Sequence, residues 1–523
     1  MRRLLIFTVL LAVNAAASAE QWQILGTRPM GMGGAFVAVA QGPIAQYWNP
    51  AGLYTSTGNV SGMELPVAAG IEFTGKTMEN ANKLGNVAKD YAAIQSKQTA
   101  GGAMNAQQLS AFVQSLPLIA DMNRKGTGAL VEANGGLNLK FAKVAVSVNN
   151  YTAIGASPFV DTTNIGLGTI TGTPGSGVNF GTGVVPGPAN ATQTAAATTI
   201  AGAINTINYG TLESLICGGA GCLALQTGNN ITNATTLANA LVNQAATTGG
   251  LSDQQILDAA NQLSANAAAA APIIAAGASG NPYTNNQTDL TIKGGSFTEI
   301  AFGLARPLPV NGLTAGGNVK LINGRMAYAK FKVLENESEI SDPFKNLADT
   351  MKTTWAPAID LGLMYDLNKL SPKLPMKPRA GIVVRNVNRP SFKNPEAQGG
   401  SSHLDTQARM GLAISPAGFW TVALDMDLTK NTTPVNGYDS RQLALGTELN
   451  LVNRRAFNIP LRAGVMKNLA NSDSKMAYTL GTGINMLYMH FDLAGVVSSN
   501  RVTIEDKKYP TKLELAASFG LLF

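Results

Sequence analysis

The chain has 523 residues, of which 45% are hydrophobic and 13% are charged, and its formal net charge is +7. The charged fraction is about half that of an ordinary soluble domain. No run of Lys or Arg suggests a nucleic-acid surface, so we expect no nucleic-acid partner. After the N-terminal leader there is no uncharged apolar run of about 18 residues, which excludes a helical membrane protein. Low charge and abundant glycine instead favour a lipid-facing β-barrel.

Residues 1–19 have the features of a secretory leader. Arg2 and Arg3 precede an apolar core over 4–13, and Ala17-Ser18-Ala19 supplies a small-residue cleavage site. The apolar core is too short to span a bilayer as a helix. We predict cleavage after Ala19 and export of the remaining chain.

The segment after the leader is small, apolar and rich in glycine. It contains Gly31-Met32-Gly33-Gly34-Ala35-Phe36 and, after a spacer, Tyr47-Trp48-Asn49-Pro50-Ala51-Gly52-Leu53. A phosphate-binding loop would follow a buried strand, open a helix and have a Lys or acidic partner at set spacing, and this context is missing. Because glycines permit close backbone approach, we predict a packed plug inside a larger structure.

This paired motif resembles the N-terminal hatch of FadL-type outer-membrane proteins. The resemblance implies that residues 20–58 form a hatch inside a fourteen-stranded barrel. It also implies hatch or gate roles for a set of residues within the motif. These are Gly31, Gly33, Gly34, Phe36, Trp48, Asn49 and Pro50.

Fourteen segments with strand character then follow along the chain. They cover 59–75, 129–140, 143–156, 289–306, 313–334, 353–368, 379–388, 404–415, 420–428, 441–451, 461–468, 476–484, 489–498 and 511–523. The number is even, and short connections alternate with longer ones, as in outer-membrane barrels with short periplasmic turns. A soluble β-sandwich would also alternate. We predict an all-β fold, a 14-stranded antiparallel transmembrane β-barrel over residues 59–523, in the lipid of a Gram-negative outer membrane.

Two insertions interrupt the strands, and we assign both to long extracellular loops that are partly helical. Residues 76–128 have helical periodicity. Residues 157–286 are of low complexity, rich in Ala, Thr, Gly and Asn, with helices expected over 235–246 and 252–276. We interpret this second insertion as a surface loop. Within it, Cys217 and Cys222 predict a local disulfide, since the protein is exported.

The last segment carries a possible assembly signal. Phe519, Leu521 and Phe523 share the apolar face of this strand. A terminal aromatic residue there resembles the sorting signal read by the outer-membrane barrel assembly machinery, which we therefore expect as a partner.

The sequence offers few candidates for chemistry. His490 and Asp492 share one face of a strand, and Asp425 and Asp427 share another. We predict that all four are polar residues of the lumen, where Asp425 and Asp427 are placed to pair with Arg441, Arg409 or Arg462. An inward charge network and a selectivity constriction both remain open. His403 lies in a polar loop, and a barrel enzyme such as a lipase would need a Ser-His constellation that is not identifiable. We expect no catalytic site, metal or cofactor, and no enzyme activity.

A narrower resemblance links the C-terminal half to the conjugal-transfer TraF-like outer-membrane family. It rests on the stretches Arg379-Ala380-Gly381-Ile382-Val383-Val384-Arg385, Leu424-Asp425-Met426-Asp427-Leu428 and Leu461-Arg462-Ala463-Gly464-Val465. From both resemblances we expect a hatch-gated channel for small hydrophobic molecules. The alternative is a structural barrel of the envelope or of a conjugative apparatus that transports nothing.

Overall fold

The computed structural model describes residues 21–54, 61–77, 122–161, 183–217, 221–225, 230–247, 250–278, 287–332, 350–371, 374–454, 457–504 and 507–522. Ala19 with the rest of the leader, most of the helix expected over 76–128, and Phe523 lie outside these residues.

A closed antiparallel barrel of fourteen strands dominates the structure, as predicted. Its strands, in order around the barrel, are β1 (Gly62–Thr74), β2 (Gly128–Phe141), β3 (Val144–Phe159), β4 (Asp289–Pro307), β5 (Leu313–Lys332), β6 (Lys352–Asp366), β7 (Arg379–Arg385), β10 (Gln407–Ala417), β11 (Trp420–Asp427), β14 (Gln442–Arg454), β15 (Phe457–Asn468), β16 (Ala477–Met486), β17 (Met489–Ser498) and β20 (Lys512–Leu522). The barrel closes where β20 pairs with β1.

In the part of the chain that the structure describes, three short hairpins lie outside the barrel ladder. They are β8–β9 (Ser391–Lys393 and Ser401–His403), β12–β13 (Asn431–Thr432 and Asp439–Ser440) and β18–β19 (Arg501–Ile504 and Lys507–Pro510). All three belong to the longer connections. The connections at the opposite end are shorter; β2 and β3, for example, are joined through Ala142 at a positive φ of 55°. Short turns are typical of the periplasmic end of outer-membrane barrels.

The outer face of the barrel is apolar. In β20, Leu513 and Leu515 are exposed, whereas Lys512, Ala516 and Ser518 are buried. Trp420 and Leu424 of β11 are likewise exposed while Asp425 and Asp427 are buried. A closed barrel leaves no unpaired strand edge in lipid, and its outward side chains satisfy the hydrocarbon. The protein is therefore an outer-membrane barrel of a Gram-negative bacterium.

The long insertion between β3 and β4 contains helices that pack on one another. They cover Ala191–Ile207, Tyr209–Cys217, Cys222–Leu225, Ala234–Thr247 and Asp253–Ala278. The last two correspond to the helices expected over 235–246 and 252–276, while the first three were not predicted. Ile204, Leu237 and Ile274 belong to a shared apolar core. The structure does not describe the side chains of Cys217 and Cys222, so their disulfide stays a prediction. Among the helices described, none has the length and apolar character needed to cross a membrane.

Candidate functional site: the hatch inside the barrel

Residues 21–54, here called the hatch, fill the barrel from the end with short turns. The hatch contains two short helices, Thr27–Gly31 and Ala45–Trp48, and a 3-10 turn at Pro50–Leu53. Asn49 caps that turn, since its Oδ1 accepts from the Ala51 N–H at 3.1 Å. Gly33 and Gly34 have φ of +69° and +87°, which glycine adopts with little strain.

Aromatic side chains form the core of the hatch. The ring of Trp48 is 5.8 Å from Phe36 and 6.2 Å from Trp22, centroid to centroid. Trp48 Nε1 donates to the Leu25 carbonyl at 2.9 Å, and the Tyr47 hydroxyl donates to the Gln23 carbonyl at 2.6 Å. Burial raises the pKa of Tyr47 well above its usual range, which keeps this hydroxyl protonated as a donor.

A belt of small residues on the inner wall receives the hatch backbone. It runs through consecutive strands from β4 to β16 and comprises Gly303, Gly316, Gly362, Gly381, Gly411, Ala423, Gly446, Gly464 and Gly481. Neighbouring members face each other across the ladder, as Gly316 does with Gly362 and Gly446 with Gly464. A Cβ on Gly316 would lie 2.3 Å from Pro50 C, and one on Gly446 would lie 2.2 Å from Met32 O. Only glycine leaves room for the hatch at these places.

The Asp425 side chain holds the hatch through hydrogen bonds from the hatch main chain. Its Oδ2 accepts from the Phe36 N–H at 2.7 Å and from the Val37 N–H at 2.8 Å. Asp427 lies two residues further on, on the same face, and binds the wall instead. It accepts from Arg409 Nε at 2.6 Å and from the Gln442 N–H at 2.8 Å.

Replacing Asp425 by Ala is expected to loosen the hatch. Two buried N–H groups lose their shared acceptor, Asp425 Oδ2, which costs about 3 kcal/mol. We expect hydrogen exchange at the amides of Phe36 and Val37 to accelerate by roughly 100-fold. Asp425→Asn is the matched control, because its amide oxygen can still accept from both N–H groups. Equal protection of both amides in the two variants would contradict the role given to Asp425.

A chain of ion pairs links the hatch to the wall near the short-turn end. Arg28 of the hatch binds Glu448 through Nε and Nη2, both at 2.8 Å. Glu448 also accepts from Arg462 Nε at 2.7 Å, and Arg462 Nη1 donates to Asp492 at 2.6 Å. Ion pairs that are bidentate and largely buried are favourable only over a narrow range of geometries.

A second group of charges surrounds the aromatic core further inside the lumen. The Arg385 guanidinium lies 4.2 Å from the Tyr47 ring centroid, and that of Arg409 lies 4.6 Å from the Trp22 ring centroid. Arg385 Nη2 binds Glu299 at 3.1 Å, and Lys320 Nζ binds the same carboxylate at 3.1 Å. These cations hold hatch rings by cation–π attraction while being paired within the wall.

A polar cavity of about 420 Å³ separates part of the hatch from the wall at the short-turn end. Its lining includes Arg379, Glu64, Asn485 and His490, together with the Arg28 ion-pair chain. A cavity of this size and polarity suits water. An apolar molecule would lose affinity there, because these polar groups would give up hydration without new partners.

The predicted hatch residues lie together: Gly31, Gly33, Gly34, Phe36, Trp48, Asn49 and Pro50 are all buried in the barrel. The predicted lumen residues form two groups. Asp425 binds the hatch and Asp427 pairs with Arg409. Asp492 pairs with Arg462, and it lines the polar cavity together with His490. Phe519 and Leu521 lie on β20 opposite Leu65 and Met63 of β1, and their role in assembly stays a prediction.

Sequence reasoning missed Arg28, Glu448 and the belt of small residues. Arg28 and Glu448 are 420 residues apart, and nothing local marks them as partners. The belt did leave a signal, because most strands carry one glycine or alanine on the face opposite their large apolar residues. Gly381 in Arg379–Arg385 and Gly464 in Phe457–Asn468 are examples.

A closed barrel of fourteen strands with its own N-terminal segment packed inside defines a hatch-containing class of outer-membrane protein. A model of the family described as "F plasmid transfer operon, TraF, protein" matches residues 46–427. The chain belongs to this family. No curated protein matches the sequence.

Solved structures of outer-membrane channels align over almost the whole chain. The Ralstonia pickettii toluene transporter TbuX has 10% identity and a TM-score of 0.41, covering 96% of this chain and 99% of TbuX. The monoaromatic hydrocarbon channel CymD has 11% identity and a TM-score of 0.39, covering 97% and 99%. The P. putida toluene transporter TodX has 11% identity and a TM-score of 0.38, covering 95% and 98%.

Proposed function

We propose that this protein is a channel for small hydrophobic molecules that opens when the hatch is displaced. One observation carries the proposal. The hydrogen bonds described between hatch and wall each involve a side chain on at least one side, as between Thr479 Oγ1 and the Gly31 carbonyl or Asn318 Nδ2 and the Gln46 carbonyl. Water can replace such bonds, so the hatch can leave its seat without breaking the barrel ladder.

The width of the barrel makes the hatch the element that closes it. Eight strands give an interior that side chains alone can fill, whereas fourteen enclose a wider lumen. The residues of the belt contribute almost no side-chain volume, since they are glycine or alanine. The space at this level is filled by hatch residues such as Met32, Val37 and Pro50. Moving them would open the lumen at the level of the belt.

Deleting residues 26–53 tests this proposal. We expect the variant, reconstituted into planar bilayers, to conduct ions at least about tenfold better than the intact protein, because the lumen then lacks its filling. Deleting residues 183–278 of the outer insertion is the control, since it removes more chain but leaves the hatch seated. Equal conductance of the hatch-deleted and intact proteins would contradict gating by the hatch.

Uptake of toluene by cells tests the choice of passenger. We expect cells with the intact protein to take up toluene faster than cells without it. Equal uptake in the two strains would favour the alternative, a structural barrel of the envelope that transports nothing.

A further inference from the structure

The connection between β11 and β14, residues 428–441, folds into the barrel from the end with long loops. We call it the outer lid. It crosses the lumen, because β11 and β14 lie seven places around the barrel from β2 and β3. There Val435 and Tyr438 of the lid pack with Leu130 of β2 and Ala153 of β3 in one buried cluster. The lid therefore bridges opposite walls.

The wall is shaped to receive the outer lid. A Cβ on Gly155 of β3 would lie 2.5 Å from Pro434 C, and one on Gly128 of β2 would lie 2.8 Å from Val435 Cγ1. The Gly126 N–H donates to the Asn436 carbonyl at 2.8 Å. These contacts place the lid in a fitted seat.

Hydrogen bonds that involve side chains also hold the outer lid at its seat. The Asn436 N–H donates to Ser157 Oγ at 3.1 Å. The Tyr438 hydroxyl donates to Glu72 of β1, whose carboxylate also binds Lys512 Nζ at 3.0 Å. Burial raises the pKa of Tyr438 above its usual range, so this hydroxyl remains a donor.

Beneath the outer lid lies an apolar pocket of about 70 Å³. Phe297 and Met326 line it from the wall, Phe392 and Leu404 from the β8–β9 hairpin region, and Pro434 from the lid. The Phe297 and Phe392 rings meet edge to face, 5.2 Å apart at an angle of 72°. The polar residues of its lining are Lys293, Gln398, Ser402, His403 and Thr433.

We propose that this pocket is a binding site for an uncharged, apolar molecule of about one aromatic ring, and that the outer lid must lift to admit it. The inference rests on the proposed function only in assuming that the transported molecule is hydrophobic. The lining favours apolar atoms, and a charged group would lose hydration there. An apolar cavity of roughly 150 Å³ accommodates benzene. The pocket is smaller, so Pro434 must move before a ring can fit.

Direct binding of toluene to the full-length protein in detergent tests the site, with benzylammonium as a charged probe of similar ring size that cannot pair with Lys293. We expect saturable toluene binding and weaker benzylammonium binding. Met326→Glu should weaken toluene binding at least about tenfold, whereas Met326→Leu, which keeps the lining apolar, should bind within about threefold of the unmodified protein. Absence of saturable toluene binding, preference for benzylammonium, or equal toluene binding by Met326→Glu would overturn the assignment.

A cross-link tests the outer lid. Asn436→Cys with Ser157→Cys, in a chain where Cys217 and Cys222 are replaced by Ser, should bind toluene at least about tenfold more slowly when oxidised and recover on reduction. Equal rates in both states would overturn the requirement for lid movement. These measurements do not depend on the hatch. Loss of pocket binding with hatch gating intact would overturn only this inference, and the converse result would overturn only the proposed gating.

Discussion

Replacing Gly316 by Val is expected to unseat the hatch and raise conductance through the barrel. The new Cβ would lie 2.3 Å from Pro50 C and 2.4 Å from Ala51 N. Both are backbone atoms of the hatch, so no change of rotamer relieves the clash. Overpacking of this kind costs about 1–3 kcal/mol, and the hatch can relieve it by leaving. We expect a large rise in bilayer conductance.

Gly317→Val is the control for this prediction. Gly317 is the next residue of β5, and a Cβ there would meet Asp360 O at 3.3 Å and Leu361 Cδ2 at 3.6 Å, both atoms of the neighbouring wall strand β6. Both variants add the same side chain to the same strand, and only one adds it under the hatch. Equal conductance of the two variants would show that the belt does not seat the hatch.

Removing the Glu448 carboxylate is expected to have the second large effect. Glu448→Ala leaves Arg28 and Arg462 without their shared partner in a largely buried site, which costs roughly 3–5 kcal/mol. Since Arg28 belongs to the hatch and Glu448 to the wall, we expect more frequent opening and a higher mean conductance. The barrel should stay folded, because the hydrogen-bond ladder between its strands is untouched. Heat-modifiable migration on gels checks this.

Two further variants test whether the Glu448 result depends on the ion pair with Arg28. Glu396→Ala removes an exposed carboxylate that pairs with Lys352 at 2.8 Å, and we expect no change in conductance. Glu448→Ala combined with Arg28→Met should perturb the protein less than the sum of the single changes, because Arg28 is then no longer left unpaired. Strict additivity would mean that the two residues are not coupled.

The barrel could be predicted because the residues of each wall strand alternate between two environments, the lumen and the lipid. Trp420, Leu424 and Met426 alternate with Ala423 and Asp425 in β11, and the structure places the two sets on opposite faces of the wall. Such alternation survives in a single sequence, since it depends only on which side of a strand faces lipid. The closed fourteen-stranded barrel confirms this prediction.

The contacts that hold the hatch could be predicted only in part. The glycines and the Asn49-Pro50 turn indicated a packed plug because their backbone requirements are local. The partners Arg28 and Glu448 could not be found, since their meeting depends on where the hatch stops inside the closed barrel. Helices such as Ala191–Ile207 were missed because their Ala and Thr composition has weak periodicity.

A reversible cross-link between hatch and wall tests the central claim most directly. Thr27 Oγ1 of the hatch and Ser518 Oγ of β20 are 3.0 Å apart, so cysteines at both positions are placed to form a disulfide. With Cys217 and Cys222 replaced by Ser, toluene flux into vesicles should stop when the Thr27→Cys, Ser518→Cys protein is oxidised and return on reduction. Equal flux in the two states would show that the passenger crosses without the hatch moving, and would contradict the account.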